Sequence, residues 1–360
     1  MEIHQVVVSA APGDAVTEAA FQLRSLLRRV GPSEMFARYV HADLEGEVSY
    51  LDAFARRPSP TPEEDVIVFH ASIGEPEVFR FLRDRPERLV VDYHNISPAE
   101  WFYTYDPAFA GLLEEGRTQV AALAGRADLA LADSAYNSAE LESMGYRDVR
   151  VSPLIVDIDR IAGAPVSPTL DADIRAATPG PVVLFVGQLL PHKRPDFLVQ
   201  AFHFLVTYLV PDAHLVMVGA QRMPRYASAV ATQVAELNLR GVRLTGSVSD
   251  AELAAWYRRA DLFVTASEHE GFCVPLLEAL AFGLPVLARR FAAVPETLGD
   301  AGLLLPPEAS PAEAAEAMAM LIADRPLADA LAARGHGRLA AYDPDAARAT
   351  FLRHLLSLAA

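Results

Sequence analysis

Apolar residues in this chain fall into short, β-prone runs that alternate with stretches of helical spacing. In the first half the runs predict strands at Gln5–Ser9, Asp65–Phe69, Leu89–His94, Leu129–Asp133 and Val149–Leu154. Between them the spacing predicts helices at Ala15–Arg29, Glu75–Arg83, Pro107–Leu123 and Ala135–Met144. The second half repeats the rhythm, with strands expected at Val182–Val186, Leu215–Val218, Val242–Leu244, Leu262–Ala266 and Val286–Ala288. Its helices are expected at Pro195–Thr207, Tyr226–Leu237, Asp250–Arg259 and Leu276–Ala281. Strand and helix in strict alternation imply an α/β chain with two doubly wound parallel sheets. The segment Ile161–Gly180 is rich in Ala, Pro and Gly and lacks clear periodicity, so it reads as a linker between domains 1–165 and 166–344. After the break at Tyr342–Pro344 a last helix is expected over Asp345–Leu358. Ligands of such sheets bind outside the carboxyl ends of the strands, which places the expected site in a cleft faced by both domains.

Composition narrows the partners. A formal net charge of −16 over 360 residues, with no basic tract, argues against nucleic acid. The lone cysteine, Cys273, excludes an intrachain disulfide framework and suits a reducing cytoplasm. The amino-terminal residues lack the basic segment and apolar core of a signal peptide, and no stretch approaches the length of a membrane span. Arg24, Arg28 and Arg29 share one predicted helix and read as a solvated face, with peripheral membrane contact as the alternative.

The densest chemistry lies between Ser267 and Pro285, S-E-H-E-G-F-C-V-P-L-L-E-A-L-A-F-G-L-P. Glu270 and Glu278 flank a short loop and a helix start, with seven residues between them. Pro275 suits the first position of that helix and Gly283 its end. Cys273 and Val274 are poor N-caps, so the first N–H groups lack a side-chain partner and form an anion site backed by the helix dipole. Glu270 in front of that anion suits sugar hydroxyls, and Glu278 one turn in suits a ribose. The order is that of a nucleotide diphospho-sugar. A second stretch, V-V-L-F-V-G-Q-L-L-P-H-K-R-P-D, ends a strand at Gly187 and brings Lys193 to a helix start, within reach of a diphosphate.

The first of these runs resembles the E-x7-E motif of retaining glycosyltransferases with the GT-B fold, specifically glycosyltransferase family 4, the group 1 enzymes. D-S-A-Y-N-S-A-E-L at Asp133–Leu141, G-S-V-S-D at Gly246–Asp250 and V-P-E-T-L-G-D-A-G-L-L at Val294–Leu304 are also similar to that family. The resemblance implies two Rossmann-like domains, the second binding the donor, with the last helix (345–360) packing back on the first. It implies that Glu270, Lys193 and His94 act in catalysis, His94 beside the 6-hydroxyl of the sugar, with Asn95 and Ser97 shaping the same wall. Gly13 would face the diphosphate through its N–H, backbone near Val248 the nucleobase, and Phe272, Cys273 and Val274 the phosphates. The family commonly has arginine after the glycine of the Lys193 loop; here Gln188 stands there, leaving Arg194 or His192 to supply the missing charge.

The implied activity is metal-independent transfer of a hexose, with retention, from a GDP- or UDP-sugar to a glycan, lipid-linked or small-molecule hydroxyl. Polysaccharide biosynthesis in the cytoplasm is the expected setting. Asp157–Asp159 and Asp171–Asp173 match a D-x-D metal pattern but lie in or beside the linker, and no zinc spacing is present, so no metal or other cofactor is expected. A sugar-nucleotide epimerase and a non-catalytic nucleotide-sugar-binding subunit are the alternatives, the latter kept open by Gln188.

Overall fold

The computed structural model of the chain describes residues 1–57 and 59–358. The chain divides into two units, Met1–Val156 with Tyr342–Ala360, and Asp157–Ala341. The first holds β1 (Ile3–Ala10), β2 (Met35–Val40), β3 (Ser49–Tyr50), β4 (Val66–Ala71), β5 (Arg88–Tyr93), β6 (Leu129–Ala132) and β7 (Val149–Val151). They form one parallel sheet in the order β3-β2-β1-β4-β5-β6-β7. Strands β4 and β6 are buried along their whole length, which is why they read as continuous apolar runs rather than alternating ones.

The second unit holds β8 (Val182–Val186), β9 (His214–Val218), β10 (Val242–Gly246), β11 (Leu262–Thr265), β12 (Val286–Arg289) and β13 (Leu303–Leu305). Its parallel order is β10-β9-β8-β11-β12-β13. Each sheet reverses its winding once, at β1/β4 in the first and at β8/β11 in the second. Loops diverge at such a reversal and leave a crevice at the carboxyl ends of the two strands.

The expected linker is mostly helix. Asp157 caps Ile158–Ala162, and Ser167 with Pro168 starts Pro168–Ala177, which buries Ile174. These helices are held within the second unit: Arg258 donates to the carbonyls of Ala162 and Ala164, and Arg160 pairs with Asp250 at 2.7 Å. The division therefore falls at Val156/Asp157 instead of 165/166. Strands β2, β3 and β13 and the helices Pro311–Ala323 and Arg325–Leu339 complete the units beyond the elements predicted. Strand β7 stops before Pro153, which cannot donate to a ladder. The last helix spans Pro344–Leu356, and the end of its expected range, 359–360, lies outside the described residues. It sets Phe351 and Leu355 among Ile3, Leu27, Val68, Val90 and Leu131 in the first unit's core, each contributing about 1.5–3 kcal/mol by burial.

One backbone contact in the first unit depends on the absence of side chains. A Cβ at Gly74 would stand 2.5 Å from the backbone N of Gly116 and 2.6 Å from the carbonyl of Leu112, while Gly111 on the same helix has open space. Gly74→Ala is expected to lower unfolding free energy by about 1–3 kcal/mol. Gly111→Ala is expected to raise it by about 0.5–1 kcal/mol, since its helix gains a better former. Urea titration of both variants checks the pair, and equal effects would show that the Gly74 contact carries no constraint.

Candidate functional site

In the second unit, the loops after β8 and β11 meet across the winding reversal. The first runs from Gly187 through a 3-10 turn, Pro191–Lys193, to Arg194, whose left-handed backbone (φ 51°) starts the helix Pro195–Phe204. The second runs from Ser267 to Cys273 and enters the helix Val274–Ala281. They are stitched together where the Glu268 N–H donates to the His192 carbonyl at 2.8 Å. That bond brings Lys193 beside Glu270, and Nζ donates to Oε1 at 2.6 Å, with side chains only 18% and 11% exposed. The hydroxyl of Ser267 donates to the same oxygen at 2.7 Å. Burial works against the Lys193 ammonium, but the Glu270 carboxylate outweighs it and holds the pKa above the ordinary lysine value.

The Glu270–Cys273 loop is fixed from behind. Its Glu270 carbonyl accepts from Ala293 N–H at 3.1 Å, and its Phe272 carbonyl accepts from the Thr297 hydroxyl at 2.6 Å. Ala293 is the N-cap of the Val294–Leu298 helix, and Thr297 lies within it, inside the V-P-E-T-L stretch. Cys273 takes a left-handed conformation (φ 74°), a strain of about 1–3 kcal/mol for a residue with a Cβ, and no side chain caps the helix it opens. Val274 is the first helical residue and Pro275 the second, one position later than expected. Glu278 stands one turn in, half-buried, and its Oε2 accepts from the Tyr257 hydroxyl at 2.7 Å.

Arg194 is engaged by Asp196, at 3.1 Å, and by Glu268. Glu268 also accepts from Arg289 at 2.6 Å, whose guanidinium lies 4.6 Å over the Phe197 ring and 4.8 Å over the Phe291 ring. Gln188 is half-buried directly after Gly187, and Val248 is half-buried between Gly246 (φ 72°) and the Ser249 cap. Among the D-x-D residues, Asp157 caps a helix and Asp171 pairs with Arg175 at 2.9 Å.

In the first unit Gly13 follows β1 with φ 69° and open space around a Cβ, so its backbone conformation and not crowding calls for glycine. His94 follows β5. Its Nδ1 lies 3.1 Å from Asp133 and its Nε2 2.8 Å from His70 Nδ1, while His70 Nε2 lies 2.9 Å from Gln5 Oε1. Asn95 (φ 70°) donates to the Asn137 side chain at 2.8 Å, and Ser97 is half-buried. His70, Asp92 and His94 hold ligand-type atoms within 4.8 Å of one another. A shared metal ion needs both imidazole lone pairs to converge on one point. The rings instead lie 9° from parallel with centroids 5.1 Å apart, and a 2.8 Å N···N contact then requires each nitrogen to lie near the line of centres. That is the geometry of an N–H···N hydrogen bond. Burial opposes a charge on His94, but Asp133 and Asp92 outweigh it and push its pKa up to about 9, whereas burial and the neighbouring cation hold His70 well below its ordinary value. His94 is thus a cation donating from both nitrogens, to Asp133 and to a neutral His70.

Tyr257, Thr297, Ser267, His70 and Gln5 escaped the sequence reading. Tyr257, His70 and Gln5 are distant in sequence from their partners, whereas Ser267 and Thr297 sit inside family-like runs without a residue type that marks them there.

The family described as Glycosyl transferases group 1 matches residues 167–338. The O-antigen chain mannosyltransferase B of Escherichia coli is 33% identical over 126 residues, which cover 34% of this chain and 32% of that protein. The GDP-mannose-dependent alpha-mannosyltransferase of Mycobacterium tuberculosis is 34% identical over 181 residues, 50% of this chain and 42% of that protein. The matched region thus spans less than half the length of these curated relatives. HepE of Anabaena, solved in complex with UDP and glucose, superposes with a TM-score of 0.77 at 20% identity, covering 99% of this chain and 100% of that one. The two Rossmann-like sheets are those of the GT-B fold. Within it, residues 167–338 are similar to the group 1 glycosyltransferases.

The raised pKa of His94 has a consequence for stability. A folded value of about 9 against an ordinary 6.5 means that His94 stabilises fully below pH 6.5 and loses that contribution as pH rises through 9. Unfolding free energy of the first unit is expected to fall across that window by on the order of 3 kcal/mol. In His94→Gln the fall is expected to be much smaller, as read by urea titration at several pH values; an unchanged slope would show that another group titrates.

Proposed function

We propose that the chain is a retaining, metal-independent glycosyltransferase of family 4, acting in the cytoplasm. It would move a hexose from a GDP- or UDP-sugar to a hydroxyl of a glycan, lipid-linked or small-molecule acceptor. The observation that carries this reading is the Lys193–Glu270 pair at the β8/β11 reversal, next to the uncapped start of the Val274–Ala281 helix. The mannosyl and glucose-related names among the relatives and the fold neighbour support a hexose. No helix is long and apolar enough to cross a membrane among the described residues.

The diphosphate of the donor takes the N–H groups at the helix start and draws the Lys193 ammonium from Glu270. Glu270, still held by Ser267, then accepts from the hydroxyls of the hexose. The bond from the anomeric carbon to the diphosphate oxygen breaks, and the acceptor oxygen bonds to that carbon on the same face. The departing oxygen takes the acceptor's proton. No carboxylate nucleophile is required, so catalysis rests on positioning and on stabilising charge as it develops on the diphosphate. One observation favours a second reading, a non-catalytic nucleotide-sugar-binding subunit: Gln188 carries no charge, and Arg194 is engaged by Asp196 and Glu268.

Two measurements test the proposal. Lys193→Met and Glu270→Gln each leave the partner's charge unpaired, so folding is checked by circular dichroism, and each folded variant is expected to lower kcat/KM by about a hundredfold or more. Near-normal turnover in either folded variant would remove that residue's role. Calorimetric titration with UDP and with GDP is expected to show one nucleotide binding with the same affinity in EDTA. Binding abolished by EDTA would overturn metal independence, and binding without turnover over a broad acceptor panel would favour the subunit.

A further inference from the structure

Glu278 lies one turn into the Val274–Ala281 helix, and the Tyr257 bond is the only hydrogen bond to its carboxylate among the described residues. Tyr257 comes from the helix Asp250–Arg259 and is wholly buried. Its ring lies 5.0 Å from that of Phe282 at 11° and 6.2 Å from that of Phe263 at 26°. A wholly buried phenol stacked against two rings is held in place, so the oxygen of Glu278 that it touches is committed. Burial, with Glu278 beside it, also raises the Tyr257 pKa and keeps its proton in place. Two further charged groups act on Glu278, Arg160 and Asp250, and they are paired with each other at 2.7 Å.

We propose that Tyr257 is the positioning residue that makes the nucleotide site select ribose. It fixes the Glu278 carboxylate through one oxygen and leaves the other to accept the two vicinal hydroxyls of a ribonucleoside. A carboxylate oxygen has two lone pairs, and a vicinal diol supplies two donors. A 2′-deoxy nucleotide leaves one acceptor site unfilled in a partly buried position, and such a mismatch discriminates strongly. Without the phenol the carboxylate turns freely and its second oxygen competes for the same hydroxyls, so the geometric selection is lost. The inference rests on the nucleotide-sugar reading above.

The test is calorimetric titration of the full chain with UDP and GDP and with their 2′-deoxy counterparts. The wild type is expected to prefer the ribonucleotide by about tenfold or more. In Tyr257→Phe the ratio is expected to approach one, through loss of ribonucleotide affinity with the deoxynucleotide affinity unchanged. A merely structural role for Tyr257 would weaken both together. A wild-type ratio in a folded Tyr257→Phe protein, or parallel weakening, overturns the inference and leaves the nucleotide-sugar reading standing. Failure of the wild type to bind either ribonucleotide overturns that reading first. Should Tyr257→Phe not fold, Glu278→Asp draws the carboxylate short of the phenol and is expected to collapse the ratio in the same way; a retained ratio there overturns the inference.

Discussion

The hydrogen bond from Glu268 N–H to the His192 carbonyl joins the two loops that leave the β8/β11 reversal, and the candidate site depends on it. Parallel strands wound in opposite directions send their connections apart, so the loops at a reversal have no intrinsic reason to meet. This bond, with the Arg194–Glu268 pair that joins the same loops, sets Lys193 against Glu270. The second loop is then fixed from the other side by Ala293 and Thr297, so Phe272 and Cys273 reach the helix start in one conformation. Strain collects at the same places. Arg194, Cys273 and Ala292 all have left-handed backbones without being glycine, and each lies on or beside these loops. Such conformations persist only where surrounding contacts over-determine them.

Charge in the second unit is paired. The cations of the two loops and of β12 described above each have a carboxylate: Lys193 has Glu270, Arg194 has Asp196, and Arg289 shares Glu268. Buried pairs of this kind add little net stability, since desolvation offsets attraction. They do keep the side chains in place. The helix start at Val274 is different, because its partial positive charge comes from backbone N–H groups with no side-chain cap. On the proposed reading, a diphosphate would therefore meet a helix start without a side-chain cap and one cation that it must draw from a partner.

The first unit solves a different electrostatic problem. Asp92 and Asp133 are buried beside His94, and the cationic imidazole offsets part of their charge. Burial still raises the pKa of both carboxylates. The linear contact with His70 takes up the second nitrogen of His94, and Gln5 takes up the second nitrogen of His70. The side chain of His94 is thus held by a chain of hydrogen bonds from β1, β4 and the loop after β6.

Much of the architecture was legible in the residues. Buried parallel strands write themselves as apolar runs, as in Leu129–Ala132 and Val182–Val186, and Glu270, Glu278 and Lys193 announced themselves through loop and helix-start chemistry within a few positions. The segment 161–180 hides its helix because Pro168–Ala177 buries one apolar residue, Ile174, and so shows no periodicity of its own. Short edge strands such as Ser49–Tyr50 lack the length for a pattern. The strand–helix rhythm, the residue types at the carboxyl ends of the strands and the missing helix cap follow from residue order alone, since each depends on near neighbours. That Lys193 faces Glu270, that Tyr257 holds Glu278 and that His94 is bound at both nitrogens emerges with the folding of the whole chain. Those partners lie 77, 21 and 24 or more residues apart, and nothing local in the chain specifies which distant side chains the strand order will bring together.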